Sequence, residues 1–301
     1  MPNWNDVLKE IEAIQRPDAL DVIRRKYLKA LHDYTQRNVI AYYSGWLQRP
    51  HYEGTVISDD DKNGFMTTIH RLDRSKGLDL ILHTPGGTLA ATDSLVNYLH
   101  AMFGSNIRAI IPQIAMSGGT MIACACKEVL MGQQSNLGPI DPQFGGIPAE
   151  GVLEEFEKAK IEIRRDPSTI PLWQVIFSKY HPTFIGECKN ATDWSKKVVA
   201  KWLATAMFGG KRGADKKSQQ IVKKLSSHRK HKSHDRHIHM QECRDIGLNI
   251  TPMEDDDKLQ DLVLTVHHSY MHTFSRTTAI KIIENHNGIA MVHQIAPVPS
   301  R

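Results

Sequence analysis

Apolar positions recur at helical spacing near the start of the chain. Leu20, Ile23, Tyr27, Leu31 and Tyr34 lie three or four residues apart, which predicts a helix over 20–34. A shorter helix is predicted over 6–15, with Pro17 between the two. The pattern then changes. Residues 38–46 (NVIAYYSGW) are rich in β-branched and aromatic side chains and predict a strand, and 55–58 predict a short one inside a loop. Leu78–His83 (LDLILH) reads as a buried strand. Leu89, Thr92, Leu95, Val96, Leu99 and Phe103 then mark an amphipathic helix. Ile107–Ile111 predicts a second strand, 120–126 a short apolar helix and 129–131 a third strand. Strand, turn and helix alternating in this way require parallel strands joined by right-handed crossovers. Farther on, 151–165, 194–208 and 215–225 read as helices. Residues 259–285 read as one long final helix that stops at Asn287–Gly288. The second half is thus expected to be helical.

Composition narrows the class. The chain has 301 residues, 41% hydrophobic and 24% charged, as in globular domains. No run approaches the ~18 apolar residues of a membrane span, so no membrane partner is expected. The start (MPNWND) lacks the basic and apolar regions of a secretory signal, and a cytoplasmic location is expected. Cys124 and Cys126 have no second pair at zinc spacing, so these two, Cys188 and Cys243 are expected to be free thiols.

The net charge of +5 is unevenly spread, with a basic stretch over 211–232. That stretch lacks the interleaved aromatics that stack on single-stranded bases. A solvated surface is expected there, and nucleic acid is not an expected partner. His228, His231, His234, His237 and His239 have no neighbouring Cys or Glu that completes a familiar metal pattern. No metal and no other cofactor is expected. His83 is expected to be a packed residue at a strand end.

Two glycine turns carry the candidate chemistry. TPGGT (84–88) and AMSGGT (115–120) each follow a strand-like run and open a helix. Such junctions expose backbone N–H groups at a helix N-terminus, where the dipole favours negative charge. Turns from adjacent parallel strands emerge at one sheet edge, so two N–H groups can converge on one oxyanion. Ser117 would stand at the mouth of that site, with glycines leaving room for a substrate. The alternative is that Ser117 only caps a helix and the glycines only turn the chain. A phosphate-binding loop is disfavoured, because no GxxxxGK[ST] is present.

These residues resemble a known family. LILHTPGGT resembles the strand and glycine turn of the Clp protease proteolytic subunit. IPQIAMSGGTMIACACKEVLM resembles the nucleophile segment of that enzyme and of signal peptide peptidase A. SNLGPIDPQ (135–143) and SHDRHIHMQECRDIGLNI (233–250) resemble segments of the serine dehydrogenase proteinase family, a branch of the Clp–crotonase superfamily. The resemblance extends over about 38–160 and in patches over 233–288. It implies an α/β fold built as a Clp/crotonase-like β-β-α superhelix with N- and C-terminal helical additions. It also implies Ser117 as nucleophile, Gly87 and Gly118 as oxyanion donors, and a closed homo-oligomer. The expected division is N-terminal helices (1–37), a catalytic core (38–165) and a helical C-terminal region (166–301) that completes the fold and makes oligomer contacts. A second argument for assembly is the apolar stripe of the 20–34 helix together with Leu259, Leu262, Val266, Tyr270, Phe274 and Ile280. This is more apolar surface than one small sheet needs, unless both helices pack on that sheet.

The general base is open at this level. The Clp subunit uses a histidine a couple of dozen residues after its serine, but no histidine occurs here between His100 and His181. Members that resemble signal peptide peptidase use a lysine farther downstream, which corresponds to Lys158 or Lys160. Lys160 flanks the apolar face of its helix and Lys158 points nearly opposite. A lysine base must be desolvated to lose its proton near neutrality. Lys179 is a more distant candidate, and His234 beside Asp235 is another. Asp141 could orient a histidine, or its GPIDP context could be a rigid turn. The expected function is a soluble, ATP-independent serine peptidase acting on peptides or proteins, with a lysine as base. The alternatives are crotonase-type acyl-CoA chemistry, and a degenerate scaffold that binds a partner or nucleic acid through its basic segment.

Overall fold

The computed structural model describes residues 4–50, 52–227 and 231–295. Two helices, α1 (Trp4–Ala13) and α2 (Ala19–Thr35), precede β1 (Asn38–Ser44). After α3 (Asp61–Ile69) come β2 (Leu78–His83), α4 (Leu89–Phe103) and β3 (Ile107–Ile111). A short β4 (Ile114–Ala115) leads into α5 (Gly118–Cys124) and β5 (Glu128–Met131). Then follow β6 (Asn136–Leu137), a small hairpin of β7 (Gln143–Phe144) and β8 (Ile147–Pro148), and α6 (Ala149–Arg165). The chain continues through α7 (Ile170–Phe177), α8 (Phe184–Trp202), a π-helical turn (Leu203–Met207) and α9 (Ala214–Ser226). It closes with β9 (Ile238–His239), α10 (Met240–Ile246), β10 (Ile250–Pro252), α11 (Asp257–Arg276), β11 (Ala279–Asn285) and β12 (Ala290–Gln294).

The result is a mixed α/β fold around one sheet of order β10-β5-β3-β2-β1-β11-β12. The first five strands in that order pair in parallel, as the crossovers predict. The last two add antiparallel. Side chains alternate across the sheet. Ile40 and Tyr42 of β1 join the core formed with α4, α5, α8 and α9, whereas Val39, Ala41 and Tyr43 join the core beneath α2 and α11.

Three expectations change here. The long final helix ends at Arg276, and 279–285 form a fully buried strand against β1. Asn287–Gly288 does not stop a helix. It turns a hairpin, with Gly288 at φ 78 and its N–H donated to Asn285 O at 3.0 Å; Asn-Gly is the favoured pair for such turns. The 55–58 segment is no strand of its own, but a 3₁₀ turn (Glu53–Thr55) followed by a single bridge from Ile57 to Gly87. The apolar stripes of α2 and α11 pack on their own sheet, burying Leu28, Leu31, Val266, Tyr270 and Phe274. The surplus-surface argument for assembly therefore lapses.

Candidate active site

The two glycine turns meet at the end of β2. Thr84 N–H donates to Ile114 O at 3.3 Å and Met116 N–H to Thr84 O at 2.9 Å, so the turns run side by side. A Cβ on Gly86 would lie 2.6 Å from Ser117 Cβ, and one on Gly118 would lie 3.3 Å from Gly87 N. Neither the Gly87 nor the Gly118 N–H donates to a backbone or side-chain acceptor among the described residues. Gly87 is required for a reason the sequence did not reveal. A Cβ there would sit 2.2 Å from Ile57 O, so the missing side chain admits a neighbouring backbone rather than a substrate.

Ser117 adopts φ 49 and ψ −113, rare for a residue with a side chain. Strain of this kind costs on the order of 1–3 kcal/mol and persists only where the surroundings impose it. They do so here through Gly119 N–H to Met116 O at 2.7 Å and Met121 N–H to Ser117 O at 3.0 Å. Ser117 precedes α5, yet its side chain makes no capping bond. The simple capping role is thus not the one this serine has. Ser117 therefore stands in a strained strand-to-helix turn without a capping role.

A small second sheet gathers the remaining groups. Its order is β4-β6-β9, with β4 and β6 parallel and β6 and β9 antiparallel. Ser117 follows β4 and Asp141 follows β6. Because β9 runs the other way, the residues that precede it, including His234, leave from the same end. There His234 Nδ1 donates to Asp141 Oδ1 at 2.8 Å. Asp141 is 2% exposed, and its Oδ2 is buried without a partner among the described residues. The loop that carries Asp141 is pinned from several sides. Gly138 N–H donates to Thr120 Oγ1 at 2.9 Å, Ser195 Oγ to Ile140 O at 3.0 Å, and Ala149 N–H to Pro142 O at 2.9 Å. A cleft of about 440 Å³ is lined by Pro85 and Met116, the residues before Gly86 and Ser117, and by Trp46, Gln113, Asn136 and His234.

The lysines lie elsewhere. Lys158 and Lys160 are on the exposed side of α6, with side chains 66% and 45% accessible, and pair with Glu162 (3.8 Å) and Glu157 (2.8 Å) respectively. Lys158 lines a separate groove between α6 and α8 that shares no lining residue with the cleft beside His234. Neither side chain has the desolvation that a lysine base needs. Lys179 is also exposed. Asp235, expected beside His234, is exposed; the carboxylate that engages the ring is Asp141.

His228 lies outside the described residues. His231 donates to Lys224 O at 2.7 Å. Among the described residues no three His, Cys, Asp or Glu side chains form a metal-holding group. All four cysteines are buried and free. His83 is packed as expected: it contacts Ser44 O and Gln113, and burial pushes its pKa down to about 4.

The sequence model of ClpP-like SDH-type serine proteinases matches residues 14–264, a span that includes Ser117, Asp141 and His234. The chain belongs to this family. Two relatives are uncharacterized proteins of Methanocaldococcus jannaschii. One is 28% identical over 236 residues, 77% of this chain and 74% of the relative. The other is 29% identical over 203 residues, 67% of this chain and 60% of the relative. Membership points to serine peptidase chemistry. Among the described residues no helix is long and apolar enough to cross a membrane.

The His234–Asp141 pair was not legible from spacing, because 93 residues separate its members. The two segments that carry them, SNLGPIDPQ and SHDRHIHM, were singled out by family resemblance, and that was the available signal.

Proposed function

We propose that this chain is a serine peptidase with Ser117 as nucleophile, His234 as general base and Asp141 as its orienting carboxylate. The observation that carries this reading is the His234–Asp141 hydrogen bond at the end of the small sheet from which Ser117 also emerges. With Nδ1–H held by a buried carboxylate, Nε2 is left unprotonated as the acceptor. Ser117 Oγ attacks the peptide carbonyl carbon as its proton passes to His234 Nε2. The carbonyl oxygen, now an oxyanion, accepts from the Gly87 and Gly118 N–H groups. Collapse breaks the C–N bond and His234 returns the proton to the leaving amine. Water then repeats the sequence on the acyl-enzyme and frees Ser117. A serine with its own base favours hydrolysis over crotonase-type thioester chemistry, which needs only the hole.

The same reading includes a β-β-α superhelix of the Clp–crotonase type, action in the cytoplasm without a nucleotide motor in this chain, and assembly into a closed homo-oligomer. Four buried free thiols suit a reducing compartment. The exposed side chains of Ile161 on α6 and of Leu172 and Val175 on α7 suit a subunit contact. Light scattering during gel filtration tests the assembly; a constant mass of 34.0 kDa at rising concentration would refute it. The catalytic reading is tested with a fluorophosphonate probe. Labelling confined to Ser117 and lost in Ser117→Ala supports it, and an unlabelled folded protein defeats it.

A further inference from the structure

A buried ion pair lies behind the first glycine turn. Lys281 of β11 and Asp61 at the start of α3 are 1% and 0% exposed, and Lys281 Nζ donates to Asp61 Oδ1 at 2.7 Å. Attraction between two buried charges often fails to offset their lost hydration, so stability alone is a weak reason for such a pair. Its other hydrogen bonds converge on one short segment. Lys281 Nζ also donates to Val56 O at 2.7 Å. Asp61 Oδ2 accepts from Ser58 N–H at 2.9 Å and from the Tyr42 hydroxyl at 2.8 Å. The pair thus grips the backbone on both sides of Ile57. Ile57 N–H in turn donates to Gly86 O at 2.7 Å, and Ile57 O accepts from Thr88 N–H at 3.3 Å.

The Gly86 carbonyl and the Gly87 N–H belong to one planar trans peptide and point in opposite directions. By holding Gly86 O, Ile57 turns the Gly87 N–H away from itself. Between two glycines that peptide could otherwise rotate with little steric resistance. We propose that the Lys281–Asp61 pair is a positioning device that locks the Gly86–Gly87 peptide, keeping the Gly87 N–H aimed into the site. This rests on the reading of Gly87 as an oxyanion donor. The pair touches no substrate and acts through the backbone around Ile57.

The test combines kinetics with a crystal structure of Asp61→Asn. Loss of an oxyanion donor lowers kcat by about 10²–10³-fold, so a partial loss of alignment in Asp61→Asn is expected to lower kcat by at least about tenfold. KM should stay within about twofold, while the inhibition constant of a peptide aldehyde, whose adduct carries the oxyanion, rises in step with the kcat loss. A merely structural role would lower the melting temperature and leave that ratio unchanged. In the crystal, the Ile57 N–H to Gly86 O bond should be lengthened or broken. If Asp61→Asn does not fold, Tyr42→Phe removes one hydroxyl from the same carboxylate and is expected to shift the same ratio in the same direction. A folded variant with wild-type kcat, wild-type aldehyde affinity and an unmoved Gly86–Gly87 peptide overturns the proposal. If the wild-type protein does not label at Ser117, the peptidase reading falls, and the variant's crystal structure alone decides whether the pair locks the peptide.

Discussion

His234 Nδ1 and Asp141 Oδ1 are 2.8 Å apart, although 93 residues separate them in the chain. The contact joins the loop after β6 to the segment before β9, and β6 and β9 are themselves paired. A histidine held this way has one ring nitrogen committed to the carboxylate and the other free for proton transfer. The pair is the basis on which the proposed histidine mechanism can be tested against a lysine one.

His234→Ala is expected to lower kcat by about 10³-fold or more, and Asp141→Asn by about 10²–10⁴-fold, as in triads where the members act as a unit. Lys158→Ala and Lys160→Ala should retain nearly full rate, since both side chains are solvated and paired with glutamates. Steady-state kinetics on a peptide substrate reads all four. Full activity in His234→Ala would return the lysines to consideration.

Ser117→Ala should abolish hydrolysis with little change in stability, because no capping bond is lost. Ser117→Gly should also be inactive, but more stable than wild type by about 1 kcal/mol, since glycine adopts the positive φ without strain. Urea denaturation of the three proteins measures the order. A Ser117→Gly protein less stable than Ser117→Ala would mean that the serine conformation is not strained.

Gly87→Ala is expected to destabilise the protein by about 1–3 kcal/mol and to remove activity, because a methyl group would be forced against backbone. The nearest atom is Ile57 O, only 2.2 Å from the added carbon. Gly145, which has open space around its Cα, offers the contrast. Its φ of 58 nonetheless makes alanine somewhat unfavourable there. Chemical denaturation in which Gly87→Ala matched wild type would show that the turn can shift away from Ile57.

Stability should fall on mild acidification. Burial holds His83 neutral, lowering its pKa from the ordinary 6.5 to about 4, and burial depresses His267 in the same direction. As pH falls through 6.5 the unfolded chain takes up these protons first. For His83 the stabilisation is thus complete above about pH 6.5, declines down to about pH 4, and declines no further below that. His83 alone accounts for a loss on the order of 3 kcal/mol. Unfolding free energies measured at intervals from pH 7.5 to 4 test this, with His83→Gln expected to flatten the profile.

The sequence by itself determined the parts of this protein whose physics is local. Periodicity located α2, α4 and the strands β2, β3 and β5, because burial on one face or on both leaves its mark within a few residues. The glycine pairs located both turns and singled out Ser117. Local signals misled where one motif serves two ends. Asn287–Gly288 can stop a helix or turn a hairpin, and the choice fell to β1, which offered 279–285 an edge to pair with. Only the tertiary structure placed the candidate bases and the groups around them. Whether a lysine is desolvated depends on what packs over it, and α6 leaves Lys158 and Lys160 in water. Asp141 meets His234, and Lys281 meets Asp61 across 220 residues, because strand pairing brings distant segments to one place, and no spacing along the chain encodes such a meeting.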